Sequence, residues 1–224
     1  SVLSLLNLPP LSIMDKANQP VTLAQGTADL SGTIAFPMKK GSDPKLTVFD
    51  ISGDLLDLRS DVLVKDRTLA AEKMNVVVSN SNITIKGPGN IDGVAFDGGW
   101  SQPLGRAGAP SEVRADIVLN QKALDTFNIK LPPGSVSGQG RGWFALDLAK
   151  GRAPSFSITS DMKGLQLNVP QLGWSKPAAA TGSLLVAGKL GPVPQVDLIE
   201  AKAAGLAAKG SVKLASGGAL ERVR

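Results

Sequence analysis

Three groups of residues have types and spacings that could do chemistry. Ser42-Asp43-Pro44-Lys45 and Ser160-Asp161-Met162-Lys163 both fit the S-x-x-K pattern of a serine nucleophile with a lysine partner. That chemistry needs the serine at a helix start and further partner motifs, whereas both strings fall at predicted turns and strand ends. Gly87-Pro88-Gly89-Asn90-Ile91-Asp92-Gly93 has the look of a phosphate-cradling glycine loop. No helix follows to supply an N-terminal dipole and no Gly-Lys-Ser/Thr ending appears, so the string predicts a turn. Asp54, Asp57, Asp61 and Asp66 could gather round calcium, but they lack EF-hand spacing. With Arg59, Lys65 and Arg67 among them they read as a solvated polar face.

The missing residue types say more than the ones present. The 224-residue chain contains no His, no Cys and no Tyr. The commonest general base, the thiol nucleophile and the main zinc ligands are thereby removed together, and the expectation is a protein that is not an enzyme and holds no cofactor or metal. Hydrophobic residues make up 42% and charged residues 19%, which places the chain among folded globular proteins rather than disordered ones. The net charge of +5 could suit nucleic acid, yet the 24 basic and 19 acidic residues are interspersed and Lys39-Lys40 is the sole Lys pair. Without an aromatic platform beside it, no nucleic-acid partner is expected. The apolar stretch Val2 to Met14 is interrupted by Pro9 and Pro10, so it neither spans a membrane nor resembles a basic-headed signal peptide, and any membrane anchor is expected outside this fragment.

The elements that must position any site are strands. Ala28, Leu30, Gly32, Ile34 and Phe36 alternate with Thr27, Asp29, Ser31 and Thr33, as a half-buried strand requires. The same period of two recurs at Met74-Val76-Val78, Ile83-Ile85, Val113-Ala115-Ile117-Leu119, Phe144-Leu146-Leu148, Leu165-Leu167-Val169 and Leu206 to Leu214. Gly87-Pro88-Gly89, Pro132-Pro133-Gly134 and Gly191-Pro192 punctuate them, which describes antiparallel meanders. One short helix is predicted over Asn120 to Asn128, with Asn120 as its N-cap.

The two halves align with each other. At a shift of 110 positions Ser31–Leu58 meets Arg141–Asn168 without a gap, pairing Gly32 with Gly142, Ala35 with Ala145, Pro44 with Pro154 and Leu55 with Leu165. At a shift of 112, Gly93-Val94-Ala95 meets Gly205-Leu206-Ala207. A repeated supersecondary unit usually stacks on its copy to extend one core. The organisation expected is therefore a first β repeat over 1–119, a helical linker over 120–133 and a second β repeat over 134–224, in one continuous sheet.

Several of these stretches resemble a known family. The linker from Leu119-Asn120 to Leu131-Pro132, the run Leu165 to Lys176 with its Leu172-Gly173-Trp174-Ser175-Lys176, and Gly205-Leu206-Ala207-Ala208-Lys209-Gly210 are similar to the periplasmic region of AsmA-like proteins, most closely the YhdP type. The resemblance covers most of the chain and is strongest after Glu112. It implies a repeating β-groove, a periplasmic location with anchorage to the inner membrane, and movement of phospholipid between the two membranes of a Gram-negative envelope. Phospholipid or another acyl-chain lipid, the inner membrane and envelope proteins are the partners it implies. The alternative function is a non-catalytic all-β scaffold in envelope assembly that pairs a partner strand along an exposed edge.

The fold class expected is all-β with one or two short helices: an elongated, twisted antiparallel sheet curled into an open apolar groove and built from two tandem repeats. Periodicity alone favours a closed sandwich or barrel in which the apolar faces pack on each other; the repeat and the resemblance move the expectation to the open form. A groove needs no polar site, because each buried CH2 contributes about 0.8 kcal/mol. Candidate lining residues in the first repeat are Leu30, Ile34, Phe36, Val76 and Val78. Ile117 and Leu119 complete the first repeat's set, and those of the second repeat are Phe144 and Leu146, Leu165 and Leu167, and Leu184 and Val186. Gly138, Gly140 and Gly142, sharing one strand face, and the Ala-rich stretches Ala178–Ala180 and Ala201–Ala208 would leave room for the sheet to curl. Trp100, Trp143 and Trp174 carry indole N–H groups that suit a half-wet rim or a covering role in packing.

Overall fold

The computed structural model describes residues 23–38, 46–104, 109–191, 195–214 and 220–223. It is nearly all β, and its backbone divides into two compact units after Ser111. In the first unit, β1 (Gln25–Ala35), β2 (Val48–Val64), β3 (Arg67–Ser79), β4 (Asn82–Ile91) and β5 (Val94–Pro103) pair consecutively as an antiparallel meander. The cross-strand register puts Leu30 opposite Gly53, Ile51 opposite Val78, Val76 opposite Ile85, and Ile85 opposite Trp100. Directly opposed residues share a face, so these strands gather their apolar side chains on one side and leave Asp29, Asp50, Lys73 and Lys86 on the other.

The second unit has β6 (Ser111–Leu119), the helix α1 (Gln121–Thr126), β7 (Val136–Gly138), β8 (Gly140–Leu148), β9 (Ser155–Ser160), β10 (Leu165–Val169), β11 (Trp174–Lys176), β12 (Gly182–Lys189), β13 (Gln195–Ala203), β14 (Leu206–Leu214) and β15 (Leu220–Val223). The larger sheet orders them β6-β8-β9-β12-β13-β14-β15 and a small one β11-β10-β7. Neither unit's order returns to its starting strand, so neither closes into a barrel. Asn120 caps α1 as expected, its side chain accepting from the Ala123 N–H at 2.9 Å. In the 110-residue register, the hairpin β1–β2 falls on β8–β9; beyond Ser160 the second copy leaves the sheet for β10, while β2 runs on to Val64.

Three sequence expectations change. Gly87-Pro88-Gly89 is not a turn: it lies inside β4, opposite Gly98, Asp97 and Phe96 of β5. The proline is tolerated because the β3–β4 ladder is interrupted there by a bulge between Ala70 and Asn75, where no N–H is required. The Phe96 ring lies over Gly89, so close that a Cβ there would sit 2.6 Å from the Phe96 Cζ. The chain reverses only at Asp92-Gly93, both with positive φ (47° and 78°), in the two-residue hairpin that such residues favour. Gly138, Gly140 and Gly142 do not share a face, since Gly138 (φ 79°) ends β7 of the small sheet and Gly140 begins β8 of the large one. Ala178–Ala180 form a turn outside any strand and so curl no sheet face. The stretches Val2–Met14 and Ser42–Lys45 lie outside the described residues.

Candidate functional site

In the first unit the apolar face carries a closed cluster of Phe49, Ile51, Val76, Val78 and Ile83, all buried, with Leu30, Leu55, Ile85 and Trp100 packed against it. Large side chains alternate across neighbouring strands and cover one another, so Val76 and Val78 are core residues, Val78 only 2% exposed. Leu30 is half-buried beside them. The face opens toward β1, where Ile34, opposite Phe49, is 46% exposed. Phe36 lies beyond the end of β1 and is 58% exposed.

The corresponding face of the second unit is built differently. Phe144 opposes Ile158, which opposes Val186, which opposes Ile199. Leu146 opposes Phe156, and Leu184 opposes Ala201. Ile117 and Leu119 stand over Gly142, within 3.2 Å of where its Cβ would be. Every large apolar side chain of this surface is half-buried rather than buried. Small residues are the reason: Gly142, Gly188, Ala201, Ala203 and Ala208 stand on the same face between the larger ones, so that Ile117 and Leu119 over Gly142, and Phe156 over Gly188, meet bare backbone rather than an interlocking side chain. Among the described residues of this unit, the six-residue α1 and the small sheet are the only elements besides the larger sheet and a 3-10 turn at Pro170–Leu172.

The small sheet and the loop before it plug one end of that face. A Cβ on Gly140 would lie 2.8 Å from Leu165 Cγ, and one on Gly182 would lie 2.4 Å from Met162 Cε, so both side chains press on bare backbone. Leu165 and Met162 are buried, and Leu167, opposite Val136, is half-buried. Leu165 and Leu167 therefore belong to the plug, apart from the sheet residues expected to line a groove with them.

The Leu172–Lys176 motif fastens this plug. Gly173 takes the left-handed conformation (φ 59°) that closes the 3-10 turn. The Trp174 indole N–H donates to the Ala204 carbonyl at 2.8 Å. Lys176 is 2% exposed, and its ammonium donates to the carbonyls of Met162 (2.7 Å), Leu165 (2.8 Å) and Pro177 (3.2 Å), which uses all three of its donors.

The strings with catalytic spacing have structural partners. Ser160 donates to the Arg141 carbonyl and accepts from the Met162 N–H at 2.9 Å, and Asp161 accepts from the Lys163 N–H, so Ser160–Lys163 is a hydrogen-bonded turn at the end of β9. In the glycine-rich string, Asp92 accepts from the Thr68 N–H and pairs with Arg67. Asp54 pairs with Lys73 at 2.9 Å, and Asp61 meets Arg59 and the Thr68 hydroxyl. Among the described residues no three acidic, His or Cys groups gather to hold a metal ion. No described helix is long and apolar enough to cross a membrane.

Several members of the second unit's apolar face were overlooked at the sequence level. Phe156 and Ile158 alternate with serine in Ser155-Phe156-Ser157-Ile158, a signal as clear as those used. Val196 and Ile199 were hidden, because the register shifts between them and places both on one face although they are three residues apart. Comparison with protein-family models, with curated proteins and with solved structures returns no match. What fold and surface define together is a class: an antiparallel, unclosed β protein with a plugged, half-covered apolar face.

Proposed function

We propose that the chain is a lipid-binding module that shields or conducts acyl chains, part of an inner-membrane-anchored periplasmic protein of the AsmA-like type that moves phospholipid between membranes. The observation that supports this reading is the second unit's apolar face. Its residues include no ionisable group, its large side chains remain half-buried, and beyond the plug at one end no second layer is described over them. A soluble protein keeps such a surface covered or uses it. Small residues between large ones leave a trough, and an alkyl chain laid in it would bury methylenes without needing a polar anchor.

Extraction of the purified protein followed by mass spectrometry tests this directly. Copurifying phospholipid is expected, and displacement by a fluorescent fatty acid should be blocked by Ile158→Asp, which puts a charge in the middle of the face. Repeated extracts free of lipid, together with no fatty-acid binding, would sink the reading. A scaffold role is the second reading, favoured by β1, which is exposed along most of its 11 residues and pairs on one side only among the described residues. A lipid-free protein that binds an extended peptide along β1 would point that way.

A further inference from the structure

The opposite face of the second unit's sheet holds a feature that the lipid reading does not use. Side chains alternate across a sheet, so Trp143, Thr159, Leu185 and Glu200 form one cross-strand row on the face turned away from Phe144 and Ile158. Arg141, Ser183 and Lys202 lie one step along their strands, Asp161 follows the end of β9, and Asp116 of β6 completes the rim. Together they line a shallow depression of about 570 Å³. The Trp143 ring forms one end of the row and is 47% exposed, unlike the half-buried rings of Trp100 and Trp174. An indole left open to water on a polar sheet face gains nothing for the core.

The charges around it are balanced. Glu200 is held by Lys209, 2.7 Å away on the next strand, which leaves Arg141 and Lys202 against Asp116 and Asp161. Lys202 adds its charge to that of Lys209 in holding Glu200. A balanced set attracts neither a polyanion nor a cation, but it offers donors (Arg141, Lys202), acceptors (Asp116, Asp161) and two hydroxyls (Thr159, Ser183) beside a flat aromatic plane. A neutral polyhydroxylated ring matches that combination. Its axial C–H bonds carry partial positive charge toward the negative face of the indole, and its hydroxyls both donate and accept. From Trp143 to Glu200 is three inter-strand intervals, about 14 Å, which suits a chain of rings rather than a single one.

We propose that this depression is a carbohydrate-binding site for a neutral pyranoside oligomer, stacked on Trp143 and hydrogen-bonded by Arg141, Asp116 and Lys202. The site is independent of the acyl-chain reading and lies on the other face.

The test is titration of the full chain against a panel of neutral and N-acetylated oligosaccharides. In parallel, vesicles are used with and without a glycolipid bearing the same sugars. Saturable binding is expected, weakened at least about tenfold by Trp143→Ala and less by Trp143→Phe, each variant being compared below its own thermal unfolding. Binding should survive Ile158→Asp on the opposite face. Binding of the soluble sugar assigns a free glycan, and binding confined to glycolipid vesicles assigns a lipid-linked one; either supports the site. No binding to any sugar, binding indifferent to Trp143→Ala, or binding to vesicles regardless of their sugar would overturn it.

Discussion

At the scale of single residues, the most consequential side chain is Lys176. Its ammonium is buried with three carbonyls and, among the described residues, no carboxylate within ion-pairing distance, so it is stabilised entirely by backbone dipoles. Lys176→Met keeps the stem but leaves the carbonyls of Met162, Leu165 and Pro177 without that donor. The Met162 and Pro177 carbonyls keep the N–H groups of Leu165 and Ala180, so what is lost is the hydrogen bonding to a charged donor, which contributes about 1.5–3 kcal/mol. A loss of roughly 3 kcal/mol is therefore expected in urea unfolding, and a change below about 0.5 kcal/mol would contradict this account of the plug. Glu200 gives a residue-scale prediction in pH. The hydrogen bond and charge of Lys209 hold its carboxyl below the ordinary value of 4.5. Because the folded value is lowered, the pairing contributes above the ordinary carboxylate range and is lost as pH falls through the lowered value. Lys209→Met should return the Glu200 titration, followed by NMR of its side-chain carboxyl, toward 4.5; an unmoved midpoint would remove Lys209 as the cause.

Among the elements, the plug depends on one close approach. Gly164 has φ 86°, its Cβ would lie 2.1 Å from the Gln139 carbonyl oxygen, and its own carbonyl accepts from the Gln139 N–H. Gly164→Ala is expected to cost roughly 3 kcal/mol through strain and displaced backbone. Amide exchange should speed up in β10, at Asn168 for example, while β12 and β13 keep their protection; uniform acceleration would mean the plug does not move by itself. The sequence carried the strands well where alternation was unbroken, as in β1, β6 and β8, and the cap of α1 was plain in Asn120. It carried them poorly wherever the ladder slips. The bulge beside Pro88 turned an apparent turn into strand, and the shift between Val196 and Ile199 hid two members of the apolar face. A bulge is a relation between two strands, and one strand's residue types do not record it. Leu165 and Leu167 show the same limit in another form: their alternation was legible, but the departure of β10 into a separate sheet depends on Gly164 and on a lysine whose partners are all backbone.

For the molecule as a whole, the lipid reading makes a quantitative demand. A face without charged residues or a designed headgroup pocket can draw affinity only from apolar area, so binding should depend on chain length and hardly at all on salt. Each methylene buried contributes about 0.8 kcal/mol, or close to fourfold in affinity. Saturated fatty acids of increasing length, titrated against the full chain, should therefore tighten about fourfold per added carbon and then level off once the trough is filled. The position of the plateau measures the length of the apolar path. The heat-capacity change should be negative and should grow with length over the same range. Trp143→Ala should leave this series untouched, while Ile158→Asp should flatten it. A series that is flat from the shortest chains onward, or that collapses as salt is raised, would mean that charged groups rather than the half-covered face hold the lipid, and the trough would then have to be reassigned to packing.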